Sequence, residues 1–259
     1  MADIVQAHFS EWVAPASCKG IEFISDLHLS AQTPGTLDAW ERYLGQTRAG
    51  AVFILGDLFE SWAGDDSRVC EFEAHCVDVL AQAAARTSLA FMLGNRDFLI
   101  GSDMLAACRM QLLADPTVLV AFGQRYLLSH GDALCLEDTE YQQFRAMVRD
   151  PQWQRELLAR PLQERRELAR EMRAASMQHQ RGRPADSWFD IDKPTAIEWL
   201  DRAGSRTLIH GHTHRPGSDY LAPGYLRHVL SDWSAEAAES PRAEVLRLGA
   251  TCLRRQRLT

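Results

Sequence analysis

The sequence predicts an α/β fold built on a mainly parallel sheet that is covered on both faces. Three observations carry this expectation. Between residues 21 and 93, short apolar runs of strand length alternate with helix-like stretches. Strand and helix alternating in this way produce parallel strands with helices on either side. Five polar motifs, moreover, each begin where an apolar run stops, the edge at which such sheets gather their ligands.

In chain order the strand runs are Ile21–Ser25, Ala51–Leu55, Leu89–Leu93, Tyr126–Ser129 and Thr207–Ile209. Their content of Ile, Val, Phe and Leu suits a strand buried on both sides. Helix-like stretches lie around residues 36–48 and 68–85. Residues 137–202 break the alternation. There Phe144, Met147 and Val148, then Trp153, Leu157 and Leu158, then Leu168, Met172 and Ala175 recur at helical spacing, with Arg166, Arg170 and Arg173 on the opposite face. Pro151, Pro161 and Pro184 divide the segment into shorter helices. Ten arginines and five acids fall within residues 144–183 of a chain whose net charge is −7. Tyr220–Leu230 and Val245–Leu248 read as closing strands. The expected organisation is a core of residues 1–136 and 192–259, with 1–19 as an N-terminal extension, and a helical cap insert over 137–191.

Composition narrows the function classes. At 46% hydrophobic and 24% charged residues the chain is ordinary for a globular protein. A pI near 5.7 excludes the whole-domain basic field of a general nucleic-acid binder. Six cysteines without a C-x-x-C spacing read as free thiols of a reducing compartment. No signal peptide is visible and no apolar run approaches the roughly 18 residues of a membrane span, so a cytoplasmic protein is expected, one that touches a membrane only from outside.

The five motifs are Ser25-Asp26-Leu27-His28, Gly56-Asp57, Gly94-Asn95-Arg96-Asp97, His130-Gly131-Asp132 and His210-Gly211-His212-Thr213-His214. Singly each is weak, since D-x-H often caps a helix and Gly-Asp is a common turn. Together they supply seven metal-seeking side chains: Asp26, His28, Asp57, Asn95, His130, His212 and His214. Two divalent cations a few ångströms apart need about that many N and O donors, with one carboxylate shared. Such a pair neutralises phosphate oxygens and acidifies water. Donor type alone admits Mn, Fe or Zn. His210 and Asp132 are expected to steady the site through hydrogen bonds, and Asp65 and Asp66 to lie in a solvated loop.

In this order the motifs resemble the calcineurin-like metallophosphoesterases over residues 21 to about 232. The resemblance implies a four-layer α/β/β/α sandwich. It implies that Asp26, His28, Asp57 and His214 hold one metal, that Asp57, Asn95, His130 and His212 hold the other, and that Asp57 bridges. Most of that family carry histidine where this chain has Arg96, which keeps its proton at any useful pH. Arginine suits a leaving group that is already a weak base, and a phosphate monoester, with a second pKa of roughly 6, is one. Its planar fork can clamp the second phosphate of a diphosphate.

Gly56-Asp57-Leu58-Phe59-Glu60-x-Trp62, Gly94-Asn95-Arg96-Asp97-Phe98-Leu99, His130-Gly131-Asp132-x-Leu134-Cys135 and His210 to Pro216 resemble, within that superfamily, the UDP-2,3-diacylglucosamine diphosphatases of lipid A biosynthesis. The resemblance implies water attack on the α-phosphorus, with UMP and 2,3-diacylglucosamine 1-phosphate (lipid X) as products. It suggests manganese as cofactor, catalytic roles for Asp57, Asn95 and Arg96, acyl chains under the helical insert, and a peripheral position on the cytoplasmic side of the inner membrane with the arginine face toward anionic head groups. Asn95, Arg96, Asp138, Ser176 and His212 stand at matching substrate-contact positions. Gln180 and Arg183 replace an asparagine and a lysine of the best-known relatives. Two alternatives remain: a soluble phosphodiesterase or dinucleoside polyphosphate hydrolase on the same scaffold, and a degenerate fold that only binds.

Overall fold

A computed structural model describes residues 9–181, 189–236 and 241–258, with backbone alone over 176–181. Three of the apolar runs become β2 (Ile21–Ile24), β3 (Ala51–Leu55) and β4 (Ser88–Met92), which pair in parallel with β5 (Met110–Leu113). An antiparallel edge made of β11 (Glu244–Leu248) and β12 (Leu253–Arg257) extends this sheet on the β2 side. A second six-stranded sheet runs in the order β1 (Ser10–Val13), β6 (Thr117–Ala121), β7 (Gln124–Ser129), β8 (Thr207–His210), β10 (Tyr225–Val229), β9 (Gly217–Ala222).

The sheets stack face to face, and side-chain alternation along each strand explains why. Phe23, Phe53 and Leu55 point inward to meet Leu119, Leu128 and Ile209 of the second sheet. Ile24, Val52 and Ile54 point outward and are covered by Trp40 and Leu44 of α1 (Pro34–Gln46) and Leu80 of α2 (Glu71–Ala84). On the far side, Val118, Leu127 and Leu208 are covered by Trp199 and Leu200 of α7 (Lys193–Ala203). The result is a four-layer α/β/β/α sandwich, with both helical layers packed on mixed sheets.

One mainly parallel sheet is thus replaced by two mixed ones. The antiparallel pairs β6–β7 and β9–β10 are hairpins turned at Gly123 and Gly224, both at positive φ, so Tyr220–Leu230 is two strands. The N-terminal extension contributes β1, parallel to β6, and its Trp12 packs edge-on against Phe53 with centroids 5.0 Å apart. Polarity hides β1 from sequence patterning, because it is a half-exposed edge strand.

Among the described residues of the expected insert, three helices follow one another. Asp138 caps α4 (Thr139–Val148), and Asp150 caps α5 (Pro151–Leu158), which opens on Pro151. α6 (Leu162–Arg181) starts directly after Pro161; Pro184 lies outside the described residues. The expected arginine face is not uniform. Arg166 pairs with Glu73 of α2 at 2.9 Å and Arg173 with Glu60, which turns both toward the core and leaves Arg170 outermost, 70% exposed. Asp65 and Asp66 are likewise structural. Asp65 accepts the amides of Gly101 and Met104 at the start of α3 (Ser102–Ala107), while Asp66 holds the buried Arg165.

All six cysteines are free thiols. No described helix is long and apolar enough to cross a membrane.

His228 of β10 is buried beside Arg255, and burial followed by that charge pushes its pKa down to about 4 from 6.5. The unfolded chain therefore binds a proton that the folded chain refuses, and stability falls as pH drops from about 6.5 toward 4. Urea midpoints measured at pH 7 and pH 4.5 check this: His228→Gln is expected to reduce the acid-induced drop.

Candidate metal centre

Each of the seven candidate ligands sits just past a strand end: Asp26 and His28 after β2, Asp57 after β3, Asn95 after β4, His130 after β7, His212 and His214 after β8. These loops are stitched to one another through the backbone. The Asp26 amide donates to Gly56 O at 3.1 Å, the His28 amide to Asp57 O at 3.1 Å, and the Gly211 amide to His130 O at 3.0 Å. Left-handed backbone is uncommon outside glycine, and such strain concentrates at functional sites. Asp26, His28, Asp57, His212 and His214 all adopt it, with φ between 50° and 66°. Among the described non-glycine residues only Arg109 and Phe122 share that geometry.

All seven side chains converge. Single ligand atoms of Asp26, His28 and His214 lie within 4.8 Å of one another, as do those of Asp26, Asp57 and His130. His28 Nε2 and His214 Nε2 are 3.3 Å apart. Asn95 Oδ1 is 3.0 Å from His130 Nε2 and 2.9 Å from His212 Nδ1. Asp57 stands between the two groups, with Oδ2 3.9 Å from His28 Nε2 and Oδ1 3.8 Å from His130 Nε2. The His130 Nδ1 proton is donated to Leu55 O at 2.8 Å, which turns Nε2 toward the centre.

The donor chemistry fits divalent cations. Imidazole nitrogens, carboxylates and an amide oxygen crowd together at hydrogen-bond range, an arrangement that positive charge among them stabilises. Burial disfavours a charged His130, yet Asp57, Asp132 and Asp26 outweigh it and lift its pKa to about 9. In the metal-free protein a proton thus answers the field that a cation would answer. Burial also works against Asp26, but hydrogen bonding and charge from His214, with His130 and His28 behind it, hold its carboxyl well below the usual range. His212 is pushed down to about 4 by burial and by His130, which keeps it neutral and free to ligate.

Supporting groups surround these ligands. Ser25 Oγ donates to Asp26 at 2.5 Å. His210 Nδ1 donates to Gly211 O at 2.8 Å, holding its own motif. Asp132 accepts from Tyr141 at 2.8 Å and from Arg145 at 2.9 Å, which ties α4 to the His130 loop. Asp97 plays a part that the sequence does not specify. It is fully buried and takes the amides of Gly94 at 2.8 Å and Leu58 at 2.7 Å, clamping two ligand loops together. Only its place in the G-N-x-D motif signalled this.

A cavity of about 1050 Å³ opens from this centre. His28, Asp57, Asn95 and Arg96 line one end, and Phe144, Leu157, Leu168 and Met172 of the insert line the other. Asp138, besides capping α4, faces the same cavity. The side chains of Ser176, Gln180 and Arg183 lie outside the described residues.

Fold and centre together define a phosphoesterase: the chain belongs to the calcineurin-like phosphoesterase family, whose model matches residues 21–216. Relatives sharpen this. The chain is 46% identical over 220 residues to the UDP-2,3-diacylglucosamine hydrolase of Chromobacterium violaceum, covering 82% of this chain and 90% of that one. It is 45% identical over 238 residues to the enzyme of the same name from Ralstonia nicotianae, covering 87% and 88%. Among solved structures, vacuolar protein sorting 29 from Cryptosporidium parvum aligns over 90% of this chain and 86% of that one at 14% identity, with a TM-score of 0.46.

Proposed function

We propose that this chain hydrolyses the diphosphate bond of UDP-2,3-diacylglucosamine, with water attacking the α-phosphorus to give UMP and 2,3-diacylglucosamine 1-phosphate, a step of lipid A biosynthesis. The observation that carries this reading is one continuous cavity, polar at the ligand cluster and apolar under α4, α5 and α6. A substrate with a diphosphate at one end and acyl chains at the other has that polarity.

In this reading Asp26, His28, Asp57 and His214 hold one divalent ion and Asp57, Asn95, His130 and His212 the other, with Asp57 shared. Manganese is the proposed metal. When bound, the pair supplies charge neutralisation of phosphate oxygens and acidification of water. Arg96, beside Asn95 in the cavity lining, clamps the diphosphate, and His212 faces the same phosphate. The diacylglucosamine 1-phosphate leaves as a weak base, so an arginine that keeps its proton is sufficient at position 96. Asp138, Ser176, Gln180 and Arg183 are proposed sugar and head-group contacts. Residues 137–191 act as the lipid-holding cap on a core of 1–136 and 192–259. The protein works as a peripheral one, on the cytoplasmic side of the inner membrane.

Turnover in oxygen-18 water, read by mass spectrometry, tests this. The label is expected in UMP alone, and Asn95→Ala is expected to lower the rate by about 10²-fold or more, the scale of losing one electrostatic contact to developing charge. Label in the sugar phosphate would overturn the assignment of the attacked phosphorus. Equal turnover of acyl-free UDP-glucose would favour a soluble phosphodiesterase instead.

A further inference from the structure

Glu60 touches both a candidate ligand, His28, and the cap, at Arg173. It lies on the loop after β3, and its backbone is fixed there, since its amide donates to Leu29 O at 3.0 Å while Leu29 donates to Leu58 O at 2.9 Å. From that anchored position one carboxylate oxygen stands 3.4 Å from His28 Nδ1 and the other pairs with Arg173 of α6. His28 Nδ1 is buried and makes no hydrogen bond of its own, which leaves Glu60 as the acceptor at hand. On the opposite side of the ring, Nε2 faces His214 Nε2 at 3.3 Å and Asp57 Oδ2 at 3.9 Å.

Two of the neighbouring histidines follow the same plan, whereas His212 turns Nδ1 toward Asn95. His130 turns Nδ1 to Leu55 O and Nε2 to the centre. His214 has Asp232 4.0 Å behind Nδ1 while its Nε2 lies 3.4 Å from Asp26. An oxygen behind the ring selects the tautomer whose lone pair points forward, and it raises the basicity of that nitrogen.

We propose that Glu60 is a positioning residue: its carboxylate keeps the His28 proton on Nδ1, so that Nε2 presents its lone pair to the divalent-ion site, and the same group moors α6 through Arg173. This rests on the reading of His28 as a ligand. The two halves of the role are separable by substitution. A glutamine at position 60 still offers an oxygen to His28 but no charge to Arg173, whereas an alanine offers neither.

The test titrates the metal-free full-length protein with Mn²⁺, following free Mn²⁺ by electron paramagnetic resonance, in the parent, Glu60→Ala, Glu60→Gln, Arg173→Gln and His28→Ala. Glu60→Ala is expected to weaken binding about 10- to 100-fold, the usual cost of losing an outer partner of a ligand. Glu60→Gln and Arg173→Gln are expected to stay within about threefold of the parent, since each keeps an oxygen behind His28. Long-range ¹H–¹⁵N spectra of the metal-free proteins supply a readout that mere loosening of the fold would not move. His28 is expected as the Nδ1–H tautomer in the parent and Glu60→Gln, and as a mixture in Glu60→Ala, with His130 unchanged in all three. If Glu60→Ala binds Mn²⁺ as tightly as the parent while His28→Ala does not, the positioning role is overturned and the site stands. If His28→Ala also binds like the parent, or if the parent binds no Mn²⁺, the ligand assignment falls and this role with it.

Discussion

Asp57→Ala is expected to lower turnover by about 10³-fold or more, at the upper end of what losing an electrostatic contact in a water-poor site costs. Its carboxylate stands between His28 at 3.9 Å and His130 at 3.8 Å, so its loss opens both halves of the centre at once. The same change is expected to alter the stability of the metal-free protein little, because it removes both the repulsion between Asp57 and Asp97 and the attraction between Asp57 and His130. Burial, and then the Asp57 charge, pushes the Asp97 carboxyl up to about 6, so removing Asp57 relieves repulsion in the loop clamp. The three results together separate a functional acid from a structural one. kcat/KM on UDP-2,3-diacylglucosamine, bound metal per chain and the melting temperature of the metal-free protein are the measurements. Turnover within about tenfold of the parent, roughly 1.4 kcal/mol of barrier, would remove Asp57 from the shared position.

The second large effect is expected at Gly94. A β-carbon there would overlap both the carboxylate and the backbone amide of Asp57. Neither side can yield easily. The Gly94 amide is held by Asp97, and the same Asp97 holds the amide of Leu58, next to Asp57. Gly94→Ala therefore has to push Asp57 away from its partners. A displacement near 1 Å is expected to cost about 10²-fold in kcat/KM, and the forced repacking about 1–3 kcal/mol of stability. Gly45 is the control. It lies in α1 with nothing within 4 Å of its β-carbon position, so alanine there is expected to be neutral or to stabilise by up to about 1 kcal/mol. A Gly94→Ala protein with parental activity would show that the close approach of the two loops is not required.

The reason the centre was legible in the sequence is geometric. Parallel strands end on one edge of a sheet, so the motifs after β2, β3 and β4 meet on one edge and those after β7 and β8 on another, and stacking of the two sheets joins the edges. Residue identity alone supplied the donor set: Asp26, His28, Asp57, Asn95, His130, His212 and His214 needed no coordinates to be singled out, only an ordered combination that chance rarely produces. Apolar spacing likewise marked out the insert and the layers of helix over sheet.

What the sequence could not determine is anything that depends on partners far along the chain. Whether Arg166 and Arg173 face water or the core turns on Glu73 and Glu60, about a hundred residues away, and no local periodicity carries that. Edge strands such as β1 are half exposed and lack the alternation that burial imposes. The left-handed backbone at five ligands, the amide clamp of Asp97 and the double contact of Glu60 exist only because separate loops press together. Local pattern follows from what one stretch must bury. Position within the site follows from what distant stretches leave room for, and that is decided only when the two sheets close.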